Sequence, residues 1–266
     1  MRQVRIGIDV GGTFTDAVAI DNDTYEIIAK EKIPTTHDSK EGVADGIVRV
    51  LQDIMDNNGI QPREVVFIAH GTTQATNALL EGDVAVTGIL SMGCGIEAGR
   101  IEKISNIGNI PIALGKELKT VFTFLETADA RSDATNVEAK IQELKAAGAE
   151  VIVATEAYGV DDPANEDFVV NAARNMGLYA TGGHDVSKLY GLKVRTRTAV
   201  VNGSLIPRMM ETANMTESCV KRAGISNPLM IMRCDGGVMT VDEVRRRPIL
   251  TMLSGLAAGV AGVLMY

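Results

Sequence analysis

The chain has no tryptophan, five phenylalanines and five tyrosines, so aromatic side chains occupy only 4% of its 266 positions. Its core must be built from Val, Ile, Leu, Ala and the 12 methionines. There are three cysteines, Cys94, Cys219 and Cys234, far apart and without a Cys-x-x-Cys pair. That pattern argues against a disulfide framework and against a structural zinc site. Each cysteine is expected to be a small buried apolar residue. Basic charge is not in excess: the formal net charge is −8, which argues against non-specific nucleic-acid binding, since that needs a basic face. Long apolar runs are missing too. The longest, residues 254–266, is too short to span a bilayer. The run after Arg2 and Arg5 is interrupted by Asp9, so no secretory leader is expected. These absences lead to the expectation of a cytoplasmic protein with neither nucleic-acid nor membrane partners. The length suffices for one large or two ordinary domains.

What is present begins near the amino end. Ile6, Ile8 and Val10 alternate with Gly7 and Asp9, the period of a strand. Gly11-Gly12 breaks the run, with positive φ open to both residues, and Val18 and Ile20 resume it. The result is a hairpin whose tip carries Asp9, Gly11, Gly12, Thr13, Thr15 and Asp16. Glycine backbone and threonine hydroxyls suit an anion. A carboxylate at a strand end suits Mg²⁺, which binds one or two carboxylates together with phosphate oxygens. An ordinary capped Gly-Gly turn accounts for the same residues. The spacing is neither that of a P-loop nor Gly-x-Gly-x-x-Gly.

Further along, residues 25–33 alternate as a third strand, and Pro34-Thr35-Thr36 closes this meander. A helix is expected over 39–57, with Asp38 or Ser39 as its N-cap and Gly59 as its stop. Residues 65–69 form an apolar run typical of a strand covered on both faces. That run enters His70-Gly71-Thr72-Thr73, followed by a helix carrying Asn77. Such a strand-to-helix turn can hold an anion, or Thr72 or Thr73 can simply cap the helix. His70 is either an acid or donor facing a ligand or a satisfied structural histidine. Strands are expected at 84–90, 151–154 and 229–233, with a short edge strand at 179–182. Residues 91–133 have a weak pattern, with a short strand at 120–124. Helices are expected at 137–147, 163–176, 199–223 (kinked at Pro207) and 241–246. Asp235-Gly236-Gly237 follows one strand as a turn or a cleft residue set.

Three meander strands followed by alternating helices and strands predict a mixed α/β sheet with helices on both faces. The order resembles the ribonuclease H-like unit that actin-like ATPases and sugar kinases use twice, with the first hairpin as the phosphate-1 loop. The resemblance sharpens with four segments taken together. Asp9-Val10-Gly11-Gly12-Thr13-Phe14-Thr15-Asp16, His70-Gly71-Thr72-Thr73-Gln74-Ala75-Thr76-Asn77, the helix around Asn202 and Pro207, and Asp235-Gly236-Gly237 with Ser254-Gly255-Leu256-Ala257-Ala258-Gly259 resemble the hydantoinase/oxoprolinase family. Departures from the family's usual pattern fall at Gly203-Ser204, at Leu256 and at Met92-Gly93-Cys94-Gly95-Ile96-Glu97, the last on the substrate side.

The resemblance implies a ribonuclease H-like domain over 1–190, then a connector helix and the incomplete start of a second such domain over 191–266. It implies ATP and Mg²⁺ as cofactors. The expected activity is ATP-dependent opening of a small cyclic amide, or reaction of a related carbonyl substrate, through a phosphorylated intermediate. Alternatives within the superfamily are a small-molecule kinase and an ATP-binding activator or sensor subunit. Gly11, Gly12, Thr13 and Thr15 would cradle phosphates, Asp9 would orient the metal and Asp16 would steady the hairpin or the metal's water. His70, Thr72, Thr73 and Asn77 would line the cleft, joined by Asp235, Gly236 and Gly237. A partner subunit or a homo-oligomer is expected. Family members continue into a second hairpin of the same kind, so these 266 residues are expected to be an N-terminal part without steady activity of their own.

Overall fold

The computed structural model describes residues 2–36 and 43–265. The expected N-cap at Asp38 or Ser39 lies outside the described residues. In chain order the elements are β1 (Val4–Val10), β2 (Phe14–Asp21), β3 (Ile27–Pro34), α1 (Val43–Asn57), β4 (Val65–Thr72), α2 (Gln74–Glu81), β5 (Thr87–Gly93), α3 (Ala98–Ser105), β6 (Ile110–Ala113), β7 (Lys116–Leu118), β8 (Thr120–Glu126), α4 (Ala134–Ala146), β9 (Val151–Glu156), α5 (Ala164–Asn175), β10 (Tyr179–Gly182), α6 (Gly183–Val186), α7 (Leu192–Arg222), β11 (Leu229–Met232), β12 (Val238–Thr240), α8 (Val241–Arg246) and α9 (Ser254–Met265).

These elements group into two compact units. One comprises Met1–Thr76 with Met209–Tyr266, the other Asn77–Arg208. This grouping by contacts runs along different lines from a division at residue 190. The chain leaves the first unit through α2 and returns to it within α7 at Met209, two residues after Pro207.

The first unit is built on a six-stranded sheet ordered β12-β11-β4-β1-β2-β3. β1, β2 and β3 form the expected antiparallel meander, β4 runs parallel to β1, and β11 runs parallel to β4. Along β1, Val4, Ile6, Ile8 and Val10 are buried while Gly7 and Asp9 are exposed, so the period-2 pattern of the sequence is the inside–outside pattern of the strand. Ala17 and Ala19 of β2 are buried as well. α1 packs on β2 and β3 and buries Ile47, Val50, Leu51 and Ile54, the apolar stripe at helical spacing. It closes as expected: the Ile60 N–H reaches back to Met55 O at 2.8 Å, with Gly59 at φ 60.

The second unit holds a wholly parallel sheet ordered β10-β9-β5-β8 and a two-stranded ribbon, β6-β7. Ile152 and Val153 of β9 are both fully buried although they point to opposite faces. α4 and α5 cover one cluster with Ile141, Leu144, Val169 and Ala173. A separate cluster brings Ala199 and Val200 of α7 onto Ile89 and Val153. Gly203 lets the helix lie close: a Cβ there would stand 3.2 Å from Val153.

Several expectations change. The strands expected at 84–90 and 151–154 do not join the meander's sheet; they are β5 and β9 of the second sheet. β5 also starts and ends three residues later, and 193–198 is already helix. The weak segment 91–133 contains α3, β6, β7 and the start of α4's approach, with β8 running to Glu126. Of the three cysteines only Cys219 is buried; Cys94 and Cys234 are exposed.

Candidate active site at the carboxyl edge of the six-stranded sheet

β1, β4 and β11 run parallel, so Val10, Thr72 and Met232 end at the same edge of the first unit's sheet. Three of the sequence motifs leave from that edge: the β1–β2 hairpin, the turn from β4 into α2 and the β11–β12 hairpin. Ligands of open α/β sheets sit beyond the carboxyl ends of strands, so this edge is the natural place to build a site.

The β1–β2 turn is closed by the Gly11 N–H donating to Phe14 O at 3.0 Å. Neither Gly11 nor Gly12 uses the positive φ open to it. Gly11 is required instead by close approach: a Cβ would lie 3.2 Å from Phe14 O. Around Gly12 the space is open, so other atoms can come close to this stretch of backbone. Thr13 is exposed, and its carbonyl accepts from the Thr35 N–H at 2.9 Å. The Thr35 hydroxyl donates to Gly11 O at 2.9 Å and lies 3.3 Å from Thr15 Oγ1. Thr15 is fully buried. The structure therefore separates Thr15 from the exposed tip and places it in the buttress beneath the hairpin.

Asp9 faces Asp16 across the antiparallel pair and Gly71 across the parallel one. A Cβ on Gly71 would stand 3.1 Å from Asp9 Oδ1, so glycine there makes room for the carboxylate. Enclosure by protein atoms, and then the Asp16 charge, push the Asp9 carboxyl above its ordinary pKa. Asp16 itself is paired with Lys32 at 3.3 Å, and Lys32 lies 4.5 Å over the Phe14 ring. Among the described residues no group of three or more His, Cys, Asp or Glu forms a metal cage. Two opposed carboxylates, one of them held above its usual pKa, match what Mg²⁺ takes from a protein when phosphate supplies the other ligands.

β4 continues through His70 and Gly71 to Thr72, beyond the expected end. Alternation then decides where each side chain goes. His70 pairs with Ile8 and Thr72 with Val10, on the buried face, whereas Gly71 shares Asp9's face. Asp9 and His70, both assigned to chemistry from the sequence, thus face opposite sides of the sheet. His70 is 2% exposed, is hydrogen-bonded to the Ile8 backbone, and has no partner at Nδ1. Burial lowers its pKa to about 4, so the ring is neutral at pH 7. Thr72 Oγ1 accepts the Gln74 N–H at 3.2 Å, the capping role weighed for it. Thr73 is exposed; so is Asn77, which belongs to the second unit.

The segment around Ser254 joins the same edge. The Ser254 hydroxyl, at the start of α9, donates to Thr72 O at 3.2 Å, and the Leu253 N–H donates to Thr76 Oγ1 at 3.2 Å. Leu253 is held at φ 59 just before the helix. In the β11–β12 hairpin, Asp235 accepts the Gly237 N–H at 3.0 Å and pairs with Arg233 at 2.6 Å. Gly236 sits at φ 83, which needs glycine. Asp235 is thus occupied as a turn residue, and its hairpin packs near Ala257 and Ala261 of α9. Thr35 and Ser254 are positioning residues that were not picked out as site residues. For Thr35 the available signal was its place at the end of the third strand, one turn below the Gly-Gly tip.

The sequence pattern of the hydantoinase/oxoprolinase N-terminal region matches residues 5–177, and that of hydantoinase/oxoprolinase proper matches residues 195–266. The chain belongs to the hydantoinase/oxoprolinase family. Caprolactamase subunit alpha of Pseudomonas jessenii is 24% identical to it over 277 residues, covering 97% of this chain and 39% of the relative. The gamma subunit of acetophenone carboxylase from Aromatoleum aromaticum is 27% identical, covering 97% and 38%. Among solved structures, nucleotide-free acetone carboxylase matches with a TM-score of 0.70 at 21% identity, over 100% of this chain and 42% of that one. The ATP-dependent caprolactamase of P. jessenii matches with a TM-score of 0.67 at 23% identity, over 96% and 39%. These likenesses show the fold, a mixed α/β architecture of the actin-like ATPase class. The chain spans about two fifths of the length of these relatives. No helix among the described residues is long and apolar enough to cross a membrane.

Proposed function

We propose that this family member supplies the phosphate-gripping part of an ATP-dependent enzyme. That enzyme opens a small cyclic amide, or activates a related carbonyl, by phosphorylating a poorly electrophilic oxygen. The observation that carries this reading is the convergence of the Gly11-Gly12 hairpin, the Gly71-Thr72-Thr73 turn and the start of α9 at one sheet edge, with Asp9 and Asp16 opposed across it. Support comes from the ATP dependence named for the caprolactamase and for acetone carboxylation.

Phosphoryl transfer asks a protein mainly for positioning and charge neutralisation. In this reading the backbone at Gly11, Gly12 and Thr13 holds phosphate oxygens. Thr35 and Thr15 keep that turn rigid from below. Asp9 and Asp16 would hold Mg²⁺ and its waters, and the ion would neutralise phosphate charge. Thr73 is offered as polar lining at this edge; Asn77 belongs to the second unit and is given no part in the site. His70, neutral and on the buried face, fixes β4 between its neighbours rather than moving a proton. Asp235, Gly236 and Gly237 hold the β11–β12 turn against α9. The 266 residues by themselves are expected to show little or no steady turnover, and a partner subunit is expected for activity, as the subunit names of two relatives suggest.

The test compares wild type and Asp9→Asn in the assembled enzyme, with MgATP and a panel of cyclic amides. Wild type should release inorganic phosphate together with a ring-opened acid, and the variant should lose turnover by about a hundredfold or more. A stable phosphorylated metabolite would instead mark a kinase. ATP binding without turnover of any amide would mark a sensor. Full turnover by the variant would remove Asp9 from the mechanism.

A further inference from the structure

The second unit carries a cavity that the phosphate site does not use. Its volume is about 390 Å³, and every residue lining it belongs to Asn77–Arg208. It opens where β5, β9 and β10 have ended. α3 begins after β5, the 157–158 segment follows β9, and 190–194 follows β10 and α6. All three strands run parallel, so this is the carboxyl edge of the second sheet, where small ligands are seated in such architectures. The size falls in the range of small-molecule pockets.

The lining has two parts. Ile101, Ile104 and the rings of Tyr158 and Tyr190 make a hydrocarbon wall, and Arg100 and Lys193 stand beside it. Neither cation has an ion-pair partner among the described residues. One carboxylate, Glu97, shares the lining, leaving positive charge in excess. Lys193 also lies in the first turn of the 31-residue α7, where backbone N–H groups add to the pull on an anion.

The walls are held in place from behind. Arg195 is fully buried, and its guanidinium donates to Leu189 O at 2.8 Å, to Tyr190 O at 3.1 Å and to Glu156 O. This ties the segment carrying Tyr190 to the end of β9. Glu166, also fully buried, accepts the Glu156 N–H at 2.9 Å and the His184 N–H at 2.8 Å. It joins the ends of β9 and β10 in turn. The Tyr190 hydroxyl donates to Asp161 at 2.7 Å, and Tyr158 is held at φ 65, an uncommon conformation for a bulky side chain. Both tyrosines remain more than half exposed. Such rigid support is what a pre-organised binding wall requires.

We infer that this cavity binds a small organic carboxylate with a hydrocarbon body, its head held by Arg100 and Lys193 and its body lying against Ile101, Ile104 and the two tyrosines. The inference does not depend on ATP or on the phosphate hairpin. Isothermal titration of the full chain at pH 7 without nucleotide tests it, using hexanoate, hexan-1-ol and hexylamine as probes of equal body and different head. Hexanoate should bind saturably and at least about tenfold more tightly than the other two, a difference of about 1.4 kcal/mol. Both cations are exposed, so the double variant R100Q/K193Q should keep its fold by circular dichroism and lose at least about tenfold in hexanoate affinity. Absence of saturable hexanoate binding, equal binding of the alcohol, preference for the amine, or unchanged affinity in a folded double variant would each overturn the inference. None of those results bears on ATP turnover.

Discussion

His70 and Asp9 show how one strand register separates two residues that look alike on paper. His70 sits among apolar neighbours, and burial holds its pKa at about 4 against an ordinary 6.5. The unfolded chain therefore binds the extra proton first as pH falls. His70's contribution to stability is present above pH 6.5 and is lost as pH falls toward about 4, and its size is on the order of 3 kcal/mol. Two other groups titrate nearby with the opposite sign. Burial, and more weakly the charges of Glu166 and Asp162, raise Glu156 to about 7, so its contribution falls as pH rises from 4.5 to about 7. The Glu166 hydrogen bond raises His184, whose contribution is lost as pH climbs through its folded value. A bare pH–stability curve mixes all three. Urea unfolding of wild type and His70→Gln at pH 7, 5.5 and 4 isolates the first: the gap between the two proteins should shrink on acidification. A constant gap would show that His70 titrates normally in the folded state. Asp9 works the other way. Its raised pKa means that ionising it costs stability, so Asp9→Asn should melt slightly higher than wild type at neutral pH while losing turnover. The sequence showed that both residues stand at strand ends. It did not show that β4 runs three residues further, through Thr72, and those residues decide which face each side chain takes.

At the scale of elements, the hairpin was the most legible piece, because period-2 alternation and a Gly-Gly break are local signals. Its support was not legible. Thr35 reaches Gly11 across 24 positions, and only the third strand's return brings it there. β4 was legible as a buried strand from residues 65–69, but its end was obscured because small polar residues suit strand and turn alike. Gly71 owes its role to a neighbour: it lies under Asp9 Oδ1, and an added Cβ would stand 3.1 Å away. Gly71 has ordinary φ, so Gly71→Ala carries no backbone strain. The variant should therefore fold with little change in melting temperature yet displace the Asp9 carboxylate. The expected readout is a drop of about ten- to a hundredfold in kcat/KM for MgATP, the scale of a small misplacement at a reacting centre. A variant of wild-type activity would show that Asp9 does not need its place above Gly71.

The whole molecule is organised by the strands that local pattern could not allocate. Apolar runs at 84–90, 151–154 and 229–233 look equivalent in sequence, yet only the last returns to the meander's sheet as β11. The first two build their own parallel sheet, and between them the chain completes a second core before α7 carries it back. Nothing in a run of Val, Ile and Leu says which of two sheets it will join, because that choice is made by long-range pairing. The consequence can be tested. Leu51 of α1 is fully buried in the first unit and Leu144 of α4 is 1% exposed in the second. Truncating either to Ala should cost about 2–5 kcal/mol locally, since each leaves a cavity in a packed core. Because the two leucines lie in different compact units, the cost should fall mainly on the unit that carries the substitution. Hydrogen exchange read by mass spectrometry resolves this peptide by peptide. In Leu51→Ala the amides of β1, β2 and β4 should exchange faster while those of β5 and β9 keep wild-type protection. Leu144→Ala should reverse the pattern. Equal loss of protection across both sheets in either variant would mean that the two units unfold as one cooperative block, and the partition read from their contacts would not be a partition of stability.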